Sequence, residues 1–409
     1  MALDLELGDE HQATQRVGPA PSALRRIQPR VVATAGVLVA GGAAWLGVVY
    51  GPRHGALFLI GAGLGLVLYQ SAFGFTAAYR ALVTSGDGRG LRAQTLMLAV
   101  ATVLFAPILA GGHGLGTVVA GAVAPASVSV LGGAFIFAVG MQLGGGCGSG
   151  MLFHLGSGAT PLVFTLVGFV AGAVVATFHM VFWTAMPTLG EVSLGETLGW
   201  PRAVALQLVV LAAIATTSWW IERRRGRARP LWPAPTRGSA RLVRGPWPLL
   251  AGGVALACLN ALTLVTAGHP WSITWAFALW GGKIVQAAGY DLSTVPFWTG
   301  EFQQAALAAP VVADVTSVMD FGIMLGALLG AGLAGRFGPA RRVPLRTVAV
   351  SILGGLLLGY GARIAYGCNI GALFSGVAST SLHGWLWGLG AILGSPVGVR
   401  LRTLSSVRR

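Results

Sequence analysis

Runs of about twenty residues with few or no charged side chains recur along almost the whole chain, and they leave it very few folds to choose from. A helix needs about 20 residues to cross a hydrocarbon layer roughly 30 Å thick, and only helices and closed barrels satisfy every backbone group there. Such runs lie at 31–49, 55–72, 91–111, 124–143, 160–183 and 203–221, then at 248–266, 319–335, 346–365 and 382–399. Apolar residues make up 55% of the chain and charged residues 10%, with a mean hydropathy of +0.74, beyond what an ordinary soluble domain carries. The expectation is an all-α polytopic membrane protein. Segment 271–289 is apolar but holds Lys283, so it is not assigned as a crossing.

A net charge of +15 would suit nucleic-acid binding if the basic residues formed one surface, but they fall in short stretches between the apolar runs. Arg16, Arg25, Arg26 and Arg30 precede the first run, and Arg80, Arg89 and Arg92 follow the second. The central loop holds Arg223, Arg224, Arg225, Arg227, Arg229, Arg237, Arg241 and Arg244. Arg336, Arg341, Arg342 and Arg346 follow a later run, and Arg400, Arg402, Arg408 and Arg409 close the chain. Short arginine-rich loops stay cytoplasmic and are drawn to anionic lipid, which places both termini and the central loop inside and makes the bilayer, not nucleic acid, the partner. Glu191, Glu196, Asp291, Glu301 and Asp314 then fall outside. The first residues, with Asp4, Glu6, Asp9 and Glu10, lack the basic start of a secretory signal. The implied organisation is a cytosolic tail over 1–28, a transmembrane half over 29–222 and a basic cytoplasmic linker over 223–247. A second half over 248–400 and a cytosolic tail over 401–409 complete it.

Counting crossings from an inside start brings 124–143 inward and sends 346–365 outward, so the ends of these two runs face each other. That is the pattern of an inverted-topology repeat, two related halves meeting near the bilayer midplane through interrupted helices. Segment 271–289 with 290–317 must begin and end outside, as a re-entrant or surface-lying piece.

Both runs end in matching sentences. Gly140-Met-Gln-Leu-Gly-Gly-Gly-Cys147-Gly-Ser-Gly-Met-Leu-Phe153 and Gly361-Ala-Arg-Ile-Ala-Tyr-Gly-Cys368-Asn-Ile-Gly-Ala-Leu-Phe374 coincide at Gly140/Gly361, Gly146/Gly367, Cys147/Cys368, Gly150/Gly371, Leu152/Leu373 and Phe153/Phe374, an offset of 221 residues. Glycines let the chain unwind and bring a ligand close to the main chain, and short half-helices are expected over 148–157 and 369–379. The first amides of a half-helix and its positive dipole end favour an anion, and a thiol adds a soft, polarisable partner for sulphur. The candidate binding residues are therefore Cys147, Cys368, Gly146, Gly148, Gly367, Asn369, Gln142 and Arg363, for a small anion with exposed sulphur. No CxxC spacing indicates a metal cluster, no GxxxxGK[ST] loop supports ATP drive, and no cofactor is implied.

Gly140–Gly158 and Gly359–Trp387, the latter reading GYGARIAYGCNIGALFSGVASTSLHGW, closely resemble the paired cysteine motifs of the YeeE/YedE family of sulphur-compound transporters. So do Gly61–Arg80, reading GAGLGLVLYQSAFGFTAAYR, and Thr274–Gln286. The resemblance implies import of thiosulfate or a related reduced-sulphur anion across a bacterial inner membrane, with thiols along a constricted path passing the ion by transient hydrogen bonds. It also implies a soluble TusA-like sulphur carrier as a partner inside. The family commonly has a third cysteine in the segment matching Tyr69–Tyr79, where this chain has Gly74.

The other polar residues admit two readings each. Arg363, five positions before Cys368, pairs with substrate or serves as a structural ion. Gln142, its repeat counterpart, lines the path or bonds a neighbouring helix. Lys283 with Gln286 forms a vestibule feature or an interfacial anchor. His154 reads as a packing residue or a proton carrier, and Cys258, inside an apolar run, as a small buried core residue. Two further function classes stay open: a membrane-embedded thiol redox enzyme or sulphurtransferase forming a persulfide on Cys147 or Cys368, and a scaffold for a sulphur carrier.

Overall fold

The computed structural model describes residues 26–224, 240–340 and 342–406. Most of the expected N-terminal tail, most of the 223–247 linker, Arg341, Arg408 and Arg409 lie outside the described residues. What is described is helical almost throughout, and nine helical stretches among these residues are long and apolar enough to cross a membrane. The long elements of those nine are Pro29–Val49, Pro52–Ser71, Arg89–Gly111, Val128–Gly144, Pro161–Phe178 and Trp200–Arg224, then Leu249–Ala267, Val315–Leu333 and Leu345–Ile364, and a tenth long helix, Leu382–Ser406, follows them. Each starts and stops within a few residues of an expected run, because apolar length alone sets them. The last one runs on to Ser406, into the stretch expected as a tail.

The closest packing crosses from one half of the chain to the other. Val315–Leu333 lies along Pro52–Ser71, and Leu345–Ile364 lies along both Pro161–Phe178 and Val128–Gly144. With no hydrophobic drive between helices in lipid, such pairs hold by van der Waals contact at small residues. A methyl group on Gly326 would sit 1.8 Å from the carbonyl oxygen of Ala62, and one on Gly359 would sit 2.0 Å from that of Phe169. The backbones touch, and any side chain would part them.

Four short pieces interrupt the long helices. Phe75–Ser85 follows Pro52–Ser71 after a break at 72–74, where Ala72 takes a left-handed conformation at φ +47°. Gly148–Gly156 follows Val128–Gly144. After Leu345–Ile364 come a six-residue π-helical turn, Asn369–Phe374, and the short helix Ser375–Ala378. Thr274–Ala287 is 14 residues long, about 21 Å at 1.5 Å per residue and too short to span alone. Its first half is buried against Pro161–Phe178. A two-stranded ribbon, absent from the sequence expectation, pairs Pro125–Ser127 with Thr188–Glu191.

Two expectations about polar residues need correction. Arg92 is not a loop charge. It lies in the helix Arg89–Gly111, 5% exposed, and meets Glu222 of Trp200–Arg224 at 2.8 Å. Position along the sequence hid this, because the partner is remote and buries the pair by packing. Cys258 is exposed on its helix, not in the core, because the face of Leu249–Ala267 that carries it is left uncovered by other helices. The final turn of Trp200–Arg224 stacks Arg224 over Trp220 at 3.6 Å and Arg223 over Trp219 at 5.1 Å, a basic-aromatic pairing suited to a membrane surface.

Candidate functional site

The two motif cysteines occupy equivalent positions in equivalent turns. Gly145 is left-handed at φ +85°, and Tyr366, its counterpart, is left-handed at φ +58°. Each conformation ends its long helix and turns the chain. Cys147 and Cys368 then follow in extended backbone as the N-caps of the next short element. The Cys147 sulphur accepts from the amide of Gly150 at 3.4 Å, and the Cys368 sulphur from that of Ile370 at 3.4 Å. In each case the thiol serves one of the unpaired amides that begin a helix. The carbonyls at the ends of the long helices are served as well: Thr165 donates to Gly144 at 3.0 Å, and Ser129 donates to Ile364.

The two turns meet. A methyl group on Gly148 would lie 3.3 Å from the Cys368 sulphur and 3.5 Å from the side chain of Ile273, so only a hydrogen separates the start of one half-helix from the thiol of the other. Ile273 precedes Thr274–Ala287, and Ser272 beside it faces Gly371 at a comparable approach. Tyr79, buried on the helix after the 72–74 break, lies within electrostatic range of Cys147. Three interruptions, from remote parts of the chain, thus converge around the thiol pair, which is 0–1% exposed. The surroundings are aromatic: Trp387 donates to the carbonyl of Gly367 at 3.1 Å, and Trp271 packs edge-on to Phe374 at 6.4 Å.

The expected site residues divide accordingly. Cys147, Cys368, Gly148, Gly367 and Asn369 are brought together, and Gly146 lies in the same turn, a methyl on it meeting the amide of Met151 at 3.2 Å. Asn369 is fully buried, and neither atom of its side-chain amide has a partner. A donor and an acceptor left open beside a thiol are an unusual expense inside a protein. Gln142 and Arg363 are occupied elsewhere. Gln142 accepts from Arg80 at 3.0 Å and donates to Thr76 at 3.4 Å, while its carbonyl accepts from Arg402 at 2.9 Å. Arg363 stands over the ring of Phe297 at 4.8 Å. Lys283 donates to the carbonyls of Leu307 and Ala309 at 2.7 and 2.5 Å, tying Thr274–Ala287 to the following loop. His154 lies tilted against Phe153, ring centroids 4.1 Å apart.

Three contributors were not singled out from sequence. Asn260 donates to Ser375 at 3.2 Å and accepts from the amide of Trp271 at 2.8 Å, and Ser375 donates to the carbonyl of Trp271 at 2.8 Å. This network binds the Trp271–Ile273 turn to the element after Cys368. Asp320 lies fully buried in Val315–Leu333, which packs along Gly148–Gly156 after Cys147. The signal for both was a strongly polar residue inside an apolar run. The Gly74 position lines a separate cavity of about 220 Å³ with Phe73, Gln94, Asp87 and Arg89. Among the described residues no group of His, Cys, Asp and Glu is placed to hold a metal ion.

A family profile described as "Sulphur transport" matches residues 70–397. The thiosulfate transporter TsuA of Spirochaeta thermophila is 28% identical over 347 residues, covering 82% of this chain and 95% of the relative. The thiosulfate transporter TsuA of Escherichia coli is 26% identical over 355 residues, 82% of this chain and 91% of that protein. The probable transporter YedE of Escherichia coli is 29% identical over 164 residues, 40% of this chain and 39% of its own length.

Proposed function

This chain belongs to the sulphur transport family, a multi-pass membrane protein whose relatives are named transporters, and on that footing we propose that it imports thiosulfate or a closely related reduced-sulphur anion past Cys147 and Cys368. The observation that carries the reading is the approach of Gly148 to the Cys368 sulphur, 3.3 Å from where a methyl would stand. It supports a constriction bounded by two thiols from turns 221 positions apart. An anion there meets S–H donors, the amides at the starts of two short helices and the open side chain of Asn369. Water is excluded by the aromatic packing, so each of these interactions counts for more than in solution. Gly146, Gly148 and Gly367 supply the close approach, and no covalent bond need form.

In this reading both termini and the linker are cytoplasmic, in a bacterial inner membrane, and the two motif turns enter from opposite sides of an inverted repeat. Gln142 acts one step from the thiols, holding the helix that leads to Cys147 against Arg80 and Arg402. Arg363 attracts anions to the outer approach, and a soluble TusA-like carrier takes sulphur from the inner one. The test is uptake of radiolabelled thiosulfate by liposomes holding the purified chain. Uptake should exceed that of empty liposomes and fall at least tenfold in both Cys147→Ala and Cys368→Ala. Undiminished uptake in both variants would remove the thiols from the path, and a stoichiometric persulfide on either cysteine would favour a sulphurtransferase.

A further inference from the structure

Among the described residues, Asp320 is a carboxylate whose position demands a reason. It is fully buried in Val315–Leu333, and neither carboxyl oxygen has a hydrogen-bond partner. Its helix packs along Gly148–Gly156, the short helix that Cys147 caps, and beside the second thiol the Asn369 amide is likewise unpartnered. A lone ionised carboxylate in apolar surroundings is strongly disfavoured, whereas the acid form carries no charge and has one O–H to offer. An anion at the thiols would make the ionised form worse still, because two like charges would then share one water-free site.

Resting on the transport reading above, we propose that Asp320 is a proton-binding site coupled to anion passage, so that each anion crosses together with a proton held on this carboxyl. The proton is taken up from the outer side as the anion arrives and released inside as it leaves. No covalent bond to sulphur forms or breaks, and no redox partner is needed. The titratable and charged groups on the elements packed around the helix are Asp314 at its N-terminus, Arg30 on Pro29–Val49, Arg53, His54 and Tyr69 on Pro52–Ser71, Cys147 and His154 at the two ends of Gly148–Gly156, Lys283 on Thr274–Ala287, and Arg244 on Ala240–Arg244. Four of these are engaged elsewhere: Asp314 accepts from Trp275 at 3.0 Å, His54 bonds the carbonyl of Ala313 at 3.1 Å, Arg53 donates to the carbonyl of Ala267, and Lys283 bonds two loop carbonyls. The Asp320 carboxyl is thus a fully buried acid with nothing else to hold it, on a helix packed against the one that Cys147 caps.

The experiment uses the full chain in liposomes with the membrane potential clamped at zero by potassium and valinomycin, and a pH-sensitive dye inside. Thiosulfate is fully ionised near neutral pH, so it cannot bring a proton of its own. The expected result is internal acidification in proportion to the thiosulfate taken up, with uptake rising several-fold when the outside is made one pH unit more acid. Asp320→Asn should take up thiosulfate, at whatever rate, with neither acidification nor response to outside pH. Wild-type uptake without acidification overturns the proposal, as does acidification by Asp320→Asn equal to that of the wild type. If Asp320→Asn takes up nothing, Asp320→Glu decides: retained acidification supports the proposal, and its loss overturns it. Absence of thiosulfate uptake by the wild type is a different result, and it fails the transport reading itself.

Discussion

Gly145 and Tyr366, 221 positions apart in sequence, hold the same left-handed backbone two residues ahead of a cysteine that caps a short helix. One is a glycine, for which the conformation costs nothing; the other is a tyrosine, for which it costs on the order of 1–2 kcal/mol. Replacing Gly145 by valine asks a β-branched residue to adopt φ +85°, and the turn should distort. We expect Gly145→Val to lose thiosulfate uptake while Gly145→Asn, which tolerates this region, keeps most of it. Liposome uptake at matched protein levels checks both.

Gly148 gives a steric prediction. Alanine there brings a methyl to 3.3 Å from the Cys368 sulphur, tight enough that a neighbour must give by a few tenths of an ångström. Gly148→Ala should slow uptake severalfold with little loss of thermal stability, and a larger side chain should stop it. Cys258→Ala, on an exposed face, should change neither quantity.

Helix contact through Gly326 should be far less forgiving. The 1.8 Å between its would-be methyl and the Ala62 carbonyl oxygen is backbone against carbon, with no side chain free to swing away. Overpacking typically costs about 1–3 kcal/mol, and separation of two whole helices lies at the upper end or beyond. Gly326→Ala should lower the unfolding temperature in detergent by several degrees or abolish folded yield, measured by fluorescence-detected size exclusion after heating.

The buried Arg92–Glu222 pair predicts an asymmetry. Removing one partner leaves a charge at 2–5% exposure with nothing opposite it, a loss of roughly 3–5 kcal/mol. Glu222→Ala also strips the acceptor from the Gly88 amide. Either single variant should be markedly less heat-stable, and the joint replacement Arg92→Met with Glu222→Leu should recover much of the loss.

Position 74 tests the place where the resemblance leads one to expect a third cysteine. Gly74 has an extended backbone that any residue adopts, and a methyl there meets the Ala77 methyl at 3.7 Å, an ordinary contact. Gly74→Cys should therefore fold with stability within about 1 kcal/mol of the parent and react with a membrane-permeant maleimide, since the position opens on a cavity. Failure to label would show the cavity closed to small reagents.

The spans were legible because a hydrocarbon layer reads little more than apolar length, and the two cysteine turns because Gly144-Gly-Gly146 and Gly367 punctuate otherwise continuous helices. The break at 72–74 carried no such run of glycines. Its left-handed residue is Ala72, set by tertiary packing and not by local preference. Arg92 and Glu222 could not be paired from sequence, since 130 positions separate them and Arg92 was read among the charges between runs. Gln142 and Arg363 were matched by the repeat, yet one joins a polar cluster with Arg80 and Arg402 and the other stacks on Phe297. Repetition of a motif fixes its turn; what surrounds each copy is decided by different neighbours.

Each sulphur of the proposed constriction already holds an amide hydrogen from its own chain, Gly150 for one and Ile370 for the other. A visiting ion must share those amides with the resident thiol, so neither party is bound firmly. Such rivalry makes for brief occupancy, and brief occupancy is what separates a gate from a trap.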